Sequence, residues 1–589
     1  MEAHSEREVK IHPMKNTKQL IRRALTAALA SAMLVSSMAG CAPKQSTSSK
    51  GDASSTAPTG SSGESKTEFD AKAITNGKKL TLLVKENVKI SDYSTNEMTK
   101  DVENAMGVQL EFVVLPAADY ESKINVMVQG GDTLPDVISR PGSNMYSWAK
   151  SGALIPLKKY YDDENYSAHL RKACEETDTD IATYLTQPDG EIYGLPAWTQ
   201  SYNGETWKKF WVYKPWLDQL GLKVPETTDE FYEACKKIVE SDPNGNGKKD
   251  EVAISGSGLD YNGTWFAGLM TPFVYAYDDE YRVLDNGTIS FAYTTDEWKE
   301  GLKYVKKFFD DNLISTEIFT QDFTQYSAGL NSDEQTVFAL NYWNCNQINA
   351  DLMDRKLGYT YINALKGPSG KAEGFYSPSL PYTNASITSD CKDPDAAFLV
   401  LDYMCNPEFG ISQRYGQQGV DWDYVDDAKN FNKADYQPTF QGFDLSIIAY
   451  DDAAFWGGST VQNRSWLYEL SYVLPMKVIN GVAVNVTSTD EKDVQKRQYE
   501  QVYAESTVHG HEVARKEVVS YLPLTQEESD SIAEQKTSLK SYLTEMIAAF
   551  CTGAKDIDKD WESYLAELEK IGYKNILQVY QTAYDRLYK

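Results

Sequence analysis

From Leu80 onward the chain alternates strand-like and helix-like stretches: LTLLVK from residue 80, a helix over about 95–106, VQLEFVVL over 108–115, a helix over about 117–129, and PDVIS over 135–139. Strands separated by helices of this length pair in parallel, because a parallel neighbour requires a long crossover and the helix provides it. The expected class is therefore α/β. Right-handed crossovers leave the loops at the carboxyl ends of the strands as the natural ligand-facing positions. Here those loops carry Glu86 and Asn87, then Arg140, Pro141 and Gly142. A second α/β unit is expected to open at Trp211-Val212-Tyr213-Lys214. It is followed by a capping box, Thr227-Thr228-Asp229-Glu230, and a helix whose inner face is Phe231, Cys235, Ile238 and Val239. The tail from Asp556 to Lys589 predicts a terminal helix pair, with Trp561, Leu565, Leu568, Ile571, Ile576, Val579 and Tyr580 at near-helical spacing and a break at Gly572.

The first 40 residues read as an export signal. Lys15, Lys18, Arg22 and Arg23 precede a mainly apolar, small-residue run from Ala24 to Met38, which ends in Met38-Ala39-Gly40-Cys41, a lipobox. Fifteen helical residues span about 22 Å, short of the ~30 Å hydrocarbon core, so the run is too short for a permanent span. Translation is expected to start at Met14, because the acidic stretch before it does not suit a signal peptide. Cleavage would leave Cys41 as the first residue. A thioether-linked diacylglycerol and an amide-linked acyl chain there supply the two-chain anchoring that one chain cannot. The expected location is the outer face of the plasma membrane, with contact to the bilayer through the lipid alone. Residues 41–76 then form the lipidated cysteine and a Ser-, Thr- and Gly-rich tether with an r.m.s. reach of roughly 30–35 Å.

Charge narrows the partners. The 589 residues carry a net −28, and residues 1–40 hold six Lys/Arg against three Asp/Glu, so their removal takes the charge to −31. That balance disfavours nucleic acid and anionic lipid surfaces. Cys174, Cys235, Cys345, Cys391, Cys405 and Cys551 show no CxxC pairing, so neither a zinc ribbon nor a small disulfide framework is indicated. One or two disulfides and buried free thiols both stay open.

Asp242-Pro-Asn244-Gly-Asn246-Gly247-Lys248-Lys-Asp250-Glu251 places oxygen donors at positions 1, 3, 5, 9 and 10 of an EF-hand-like loop, with glycine at 6. Asp242, Asn244, Asn246, the Lys248 carbonyl, Asp250 and Glu251 are the expected ligands of a structural calcium ion. Position 12 is Ala253, so Glu251 replaces the usual bidentate glutamate. Catalytic signatures are lacking: there is no GxSxG, P-loop or dinucleotide GxGxxG, and His511-Glu512-Val513-Ala514-Arg515 has Arg where a zinc protease needs its second His. Aromatic residues recur in loop-like settings, among them Trp198, Tyr261, Trp265, Tyr342, Trp343, Trp422 and Trp456. A pyranose presents a C–H face that packs on a flat ring, while its hydroxyls seek carboxylates, amides and guanidinium groups such as Glu86, Asn87, Arg140 and Asn344. Together they predict a sugar site.

Several short motifs occur in a telling order: Gly130-Gly131-Asp132-Thr-Leu-Pro135-Asp136-Val, Gly152-Ala-Leu-Ile-Pro-Leu157, Asp189-Gly-Glu-Ile-Tyr193-Gly-Leu-Pro196, Leu217-Asp-Gln-Leu-Gly221, the Asp242–Glu251 loop, Tyr415-Gly-Gln-Gln-Gly419-Val-Asp421, and Tyr580-Gln-Thr-Ala-Tyr584-Asp585-Arg586. With the lipobox they resemble the family 1 extracellular solute-binding proteins of ABC transporters, especially the LplA-like lipoproteins of Gram-positive bacteria. The resemblance implies a periplasmic-binding-protein-like, type II architecture like that of maltose-binding proteins, with two α/β lobes, a hinge and a cleft. It places residues 77–205 and about 366–450 in the first lobe, and 206–365 and about 451–589, with the C-terminal helices, in the second. It further implies a monomer that delivers an oligosaccharide to permease subunits. By the same similarity Tyr342 or Trp343, and Trp456, become sugar-stacking residues, while Arg140 stands where maltose-type members carry an aromatic. The competing readings are a lipid-anchored glycan hydrolase, and a binding protein for a peptide or lipid-linked ligand; the absence of an enzymatic role is the expectation.

Overall fold

The computed structural model describes residues 69–87, 90–206, 208–259, 264–276, 281–343, 345, 347–429, 432–438, 445–449, 470–489, 518–519 and 521–589. The lipobox cysteine Cys41, the tether to residue 68, Tyr261, Asn344 and Trp456 lie outside these residues.

The alternating segment folds as its periodicity dictates. Strands β1 (Lys79–Lys85), β2 (Gln109–Leu115) and β3 (Val137–Ser139) are joined by helices α1 (Glu97–Met106) and α2 (Tyr120–Gly130). Asn96 caps α1 through its side chain, and Gly107 ends it at φ 67°, the left-handed turn that glycine adopts without strain. β1 pairs in parallel with both β2 and β3. Three later strands complete this first sheet: β4 (Leu195–Thr199), β9 (Tyr382–Ile387) and β10 (Tyr472–Leu474), in the order β10-β4-β9-β3-β1-β2. β9 runs antiparallel between β3 and β4, and β10 lies parallel to β4. Helices α3 (Ala168–Thr177) and α7 (Pro394–Met404) cover the sheet, and the core beneath joins Leu80, Leu82, Val84, Leu195, Ile387, Phe398 and Leu401.

The second sheet has the order β8-β5-β7-β6, from β5 (Lys209–Tyr213), β6 (Val252–Ser255), β7 (Val337–Tyr342) and β8 (Tyr359–Tyr361). Its core packs α4 (Thr228–Ser241), α5 (Thr264–Met270) and α6 (Asp296–Asp310) against the C-terminal helices α8 (Gln526–Thr552), α9 (Trp561–Ile571) and α10 (Tyr573–Tyr588). The capping box at Thr227 and Glu230 forms in both directions, at 3.2 and 3.1 Å. Gly572, at φ 105°, makes the break that separates α9 from α10. The bidentate pair of Arg586 with Glu528, both contacts at 2.8 Å, ties the last helix to the start of α8.

The chain therefore passes from the first sheet to the second between Thr199 and Lys209. Two boundaries differ from expectation. Lys366 still pairs with Thr227 of the second lobe, so the first sheet resumes only at Tyr382. Tyr472–Leu474, assigned from sequence to the second lobe, pairs with Ala197–Thr199 of the first. A three-residue strand carries too short an alternation to announce itself. No described helix is long and apolar enough to cross a membrane.

Candidate functional site

Across the second sheet Lys209 stands opposite Tyr342, at the end where the chain has just arrived from the first lobe. This end therefore faces the crossing segments. It holds a small cavity lined by Lys208, Lys209, Asn341, Glu373 and Phe375 together with residues 362–365. Gly268 makes room for one wall: a Cβ there would lie 2.4 Å from Asn341 Nδ2. Lys208 Nζ sits 5.2 Å over the Phe375 ring, and Glu205 O accepts from Ser377 N at 2.8 Å, so the outgoing and returning segments are fastened together beside the cavity. Burial pushes the Lys209 ammonium down to about 7. A partly desolvated cation, amides, a carboxylate and an aromatic edge are the donor and acceptor set that a polyhydroxylated ligand requires. Sequence reasoning missed Lys208, Lys209, Asn341 and Glu373. The one available signal was a lysine opening an otherwise apolar strand, KFWVY.

The anticipated residues divide sharply. Glu86, exposed, and Asn87, half-buried, follow β1 directly, and Arg140 follows β3, as the parallel topology requires. Arg140 has φ 47° and donates its N–H to Asn384 O at 2.6 Å, which locks the turn that leaves its side chain exposed. Tyr342 is half-buried and Trp343 is 38% exposed. Trp198, Trp265 and Trp422 are corrections to the expected stacking set, being 3%, 1% and 2% exposed. Trp265 lies on α5 rather than on a loop, packs edge-on to Phe266, Phe309 and Phe319, and donates Nε1–H to Gly258 O at 2.8 Å. Trp422 donates to Gly416 O at 2.8 Å inside a separate small core. Trp198 points from β4 into the first-lobe core. Both faces of these rings are taken by protein, so none offers a stacking surface.

The Asp242–Glu251 loop links α4 to β6. Asp242 Oδ1 and Oδ2 accept from Asn246 N (3.2 Å) and Gly247 N (2.9 Å), and Asn246 Oδ1 accepts from Lys248 N (2.7 Å). Asn244 and Asn246 donate to Asp250 at 3.1–3.3 Å, which gathers the acidic and amide side chains together. Glu251 is buried, and neither of its carboxylate oxygens has a hydrogen-bond partner among the described residues. Burial raises its carboxyl, and the charges of Asp242 and Asp250 add to this; the backbone N–H groups of Glu251 and Asn244 oppose it without closing a hydrogen bond. Among the described residues no cluster of three or more His, Cys, Asp or Glu side chains forms a metal site, so an ion here must also draw on Asn244, Asn246 and the Lys248 carbonyl. An all-oxygen set with an orphaned buried carboxylate fits a calcium ion. β6 and β7 run parallel from this end, so the loop lies at the opposite end of the sheet from Tyr342 and Trp343.

Comparison with known proteins accounts for this architecture. The fructooligosaccharide ABC transporter substrate-binding protein FusA of Streptococcus pneumoniae is 26% identical over 518 residues, covering 82% of this chain and 86% of its own. An extracellular solute-binding protein from Bifidobacterium longum subsp. infantis superposes with a TM-score of 0.70 at 20% identity, covering 87% of this chain and all of that one. The S. pneumoniae FusA EF-hand mutant in complex with fructo-nystose does so with 0.65 at 23%, covering 86% and 99%. The fold is that of the type II, periplasmic-binding-protein-like solute receptors, and residues 97–420 match the family model described as bacterial extracellular solute-binding protein. The chain belongs to the bacterial extracellular solute-binding protein family.

Proposed function

We propose that the protein is a lipid-anchored extracellular receptor that captures an oligosaccharide between its lobes and hands it to an ABC permease. The observation that carries the reading is the pairing of an exposed aromatic, Trp343, with the polar cavity of Lys208, Lys209, Asn341 and Glu373, at the end of the second sheet beside the crossing segments. On the first lobe, Glu86, Asn87 and Arg140, just past the ends of β1 and β3, would supply further hydrogen-bonding groups. FusA, a relative over most of the chain, is an ABC transporter substrate-binding protein for fructooligosaccharide, which supports the same ligand class here. Affinity would come from ring stacking and directional hydrogen bonds, and closure about the crossings 200–208 and 362–381 would present both lobes to the permease. Cys41, once processed, would hold the protein at the outer face of the plasma membrane, consistent with an extracellular family.

A structural calcium ion held by Asp242, Asn244, Asn246, the Lys248 carbonyl, Asp250 and Glu251 completes the reading. Bound there, the ion would offset the mutual repulsion of three carboxylates and stiffen the link between α4 and β6. It would not touch the ligand. The relative solved as an EF-hand mutant supports a loop of this kind in the family's fold. Calorimetry of the mature protein against purified oligosaccharides, with chromatographic analysis for product, tests receptor against hydrolase. Saturable binding with the glycan recovered intact supports the proposal, and steady cleavage contradicts it.

A further inference from the structure

Among the described residues four aromatic side chains are exposed: Phe69, Trp343, Tyr382 and Tyr588. Phe69 rests against the Tyr166 ring at 5.4 Å, and Tyr588 against Tyr584 at 4.7 Å. The other two flank the second crossing, 362–381. Trp343 follows the last residue of β7, and Tyr382, 52% exposed, is the first residue of β9. Its neighbours Pro381, Asn384 and Ala385 are buried, and among the described residues its side chain has no hydrogen-bond or ring partner. The backbone there is fixed. Tyr382 pairs with Ala197 of β4, and two residues on Asn384 O accepts the Arg140 N–H at 2.6 Å. Because β9 runs antiparallel to β3 and β4, its first residue lies at their carboxyl ends, where an α/β sheet presents its ligand-facing loops. The crossing that leads to it is pinned as well: Tyr275 OH donates to Tyr376 O at 2.6 Å, Ser377 N to Glu205 O at 2.8 Å, and Ser379 Oγ to Thr199 O at 2.7 Å. On the second-lobe side Tyr342, the residue before Trp343, packs against the small core of Tyr275, Phe375 and Tyr376. Tyr382 is six residues past Tyr376, so their Cα atoms lie at most ~22 Å apart.

We propose, resting on the oligosaccharide-receptor reading, that Tyr382 and Arg140 form a sugar subsite on the first lobe for the same glycan that lies on Trp343. The Tyr382 ring is its stacking face, and the Arg140 guanidinium donates to the hydroxyls of the stacked unit. Tyrosine suits such a place, because a large flat apolar face is held by only two torsions and little entropy is lost when a ligand covers it. Arg140 adds direction: its planar fork carries five N–H donors and no acceptor, matching the lone pairs of neighbouring sugar oxygens. The turn at φ 47° and the bond to Asn384 O hold the arginine beside the start of β9. Tyr382 takes the part expected of Trp198, whose ring is buried in the first-lobe core. With one aromatic on each lobe and a pinned crossing between them, a glycan that covers both rings ties the lobes across the hinge, so each ring contributes to closure as well as to affinity.

The test uses the full-length protein carrying Cys41→Ser, titrated calorimetrically with inulin-type fructo-, malto-, cello- and xylo-oligosaccharides from tri- to hexasaccharide; the probe that wild type binds most tightly is kept for the variants. Tyr382→Ala should weaken that probe at least tenfold with an unchanged melting temperature, and Tyr382→Phe, which keeps the ring face, should stay within threefold of wild type. Hydroxyl-radical footprinting of wild type, read by peptide mapping, should show Tyr382 shielded when the probe saturates the protein. A smaller loss in Tyr382→Ala, in a protein whose binding Trp343→Ala weakens tenfold or more, overturns the subsite and leaves the receptor reading standing. A loss of affinity without shielding of Tyr382 overturns the direct contact. Wild type that binds none of the probes contradicts the receptor reading, and the subsite falls with it.

Discussion

Lys209 and Tyr342 face each other across β5 and β7, the first residue of one strand against the last of the other, at the end of the second sheet where the crossing segments meet. The pair sets a buried ammonium beside an aromatic that leads directly to Trp343. Lys209→Met should weaken oligosaccharide binding while leaving the fold intact. The sign of its pH effect follows from a folded pKa near 7, below the unfolded value of about 10.4. Unfolding then takes up a proton, so the folded state loses stability as pH falls from about 10 through 7. The stability gained by Lys209→Met over wild type should be larger at pH 7 than at pH 10, as urea melts at the two values would show.

Trp343 and Trp265 should respond oppositely to truncation. Trp343→Ala removes an exposed ring and should cost binding on the order of 2–4 kcal/mol, roughly 30-fold to 1,000-fold in affinity, with little change in melting. Trp265→Ala empties a core position and should lower folding stability by about 3–5 kcal/mol. Thermal melts and calorimetry on the same two proteins check both.

Asp402 gives a pH signature in the first lobe. Burial raises its carboxyl to about 7 against the two backbone N–H groups that favour its charge, while the unfolded value is about 3.9. A raised folded pKa contributes stability that is complete below about pH 4 and lost as pH rises through 7. Asp402→Asn removes this dependence and keeps an acceptor for the helix end. Wild type should therefore be most favoured over the variant near pH 4, and the advantage should shrink up to pH 8.

Calcium removal should act on stability rather than on recognition, because the Asp242–Glu251 loop lies at the far end of the sheet from Trp343. Chelation should lower the melting temperature and leave ligand affinity at 20 °C within about twofold. Elemental analysis of protein purified without chelator should find about one equivalent per chain.

Much of the fold was legible because the N-terminal alternation, the Thr227 capping box and the Gly572 break are local signals with local causes. The 27-residue α8 was not anticipated from the sequence, although Ile532, Leu539, Leu543, Met546 and Phe550 all face inward from it. The site was less so. The places of Glu86, Asn87 and Arg140 just past the ends of parallel strands follow from topology. Whether a tryptophan turns inward depends on what faces it: Trp265 is buried because Gly256 leaves it space, where a Cβ would lie 2.6 Å from the ring. Lys209 carried only the weak signal of a charge opening an apolar strand, as only the fold places it with Asn341 and Glu373 in one cavity lining.

The central claim is that this chain binds an oligosaccharide without altering it. Its most direct test is isothermal titration of the calcium-loaded mature protein with a panel of purified oligosaccharides of defined linkage and length, fructans among them. The prediction is one-to-one binding of at least one member at micromolar Kd or tighter, weakened at least tenfold by Trp343→Ala. Failure of every glycan to bind, or tight binding that Trp343→Ala, Lys209→Met and Arg140→Ala all leave unchanged, would contradict it.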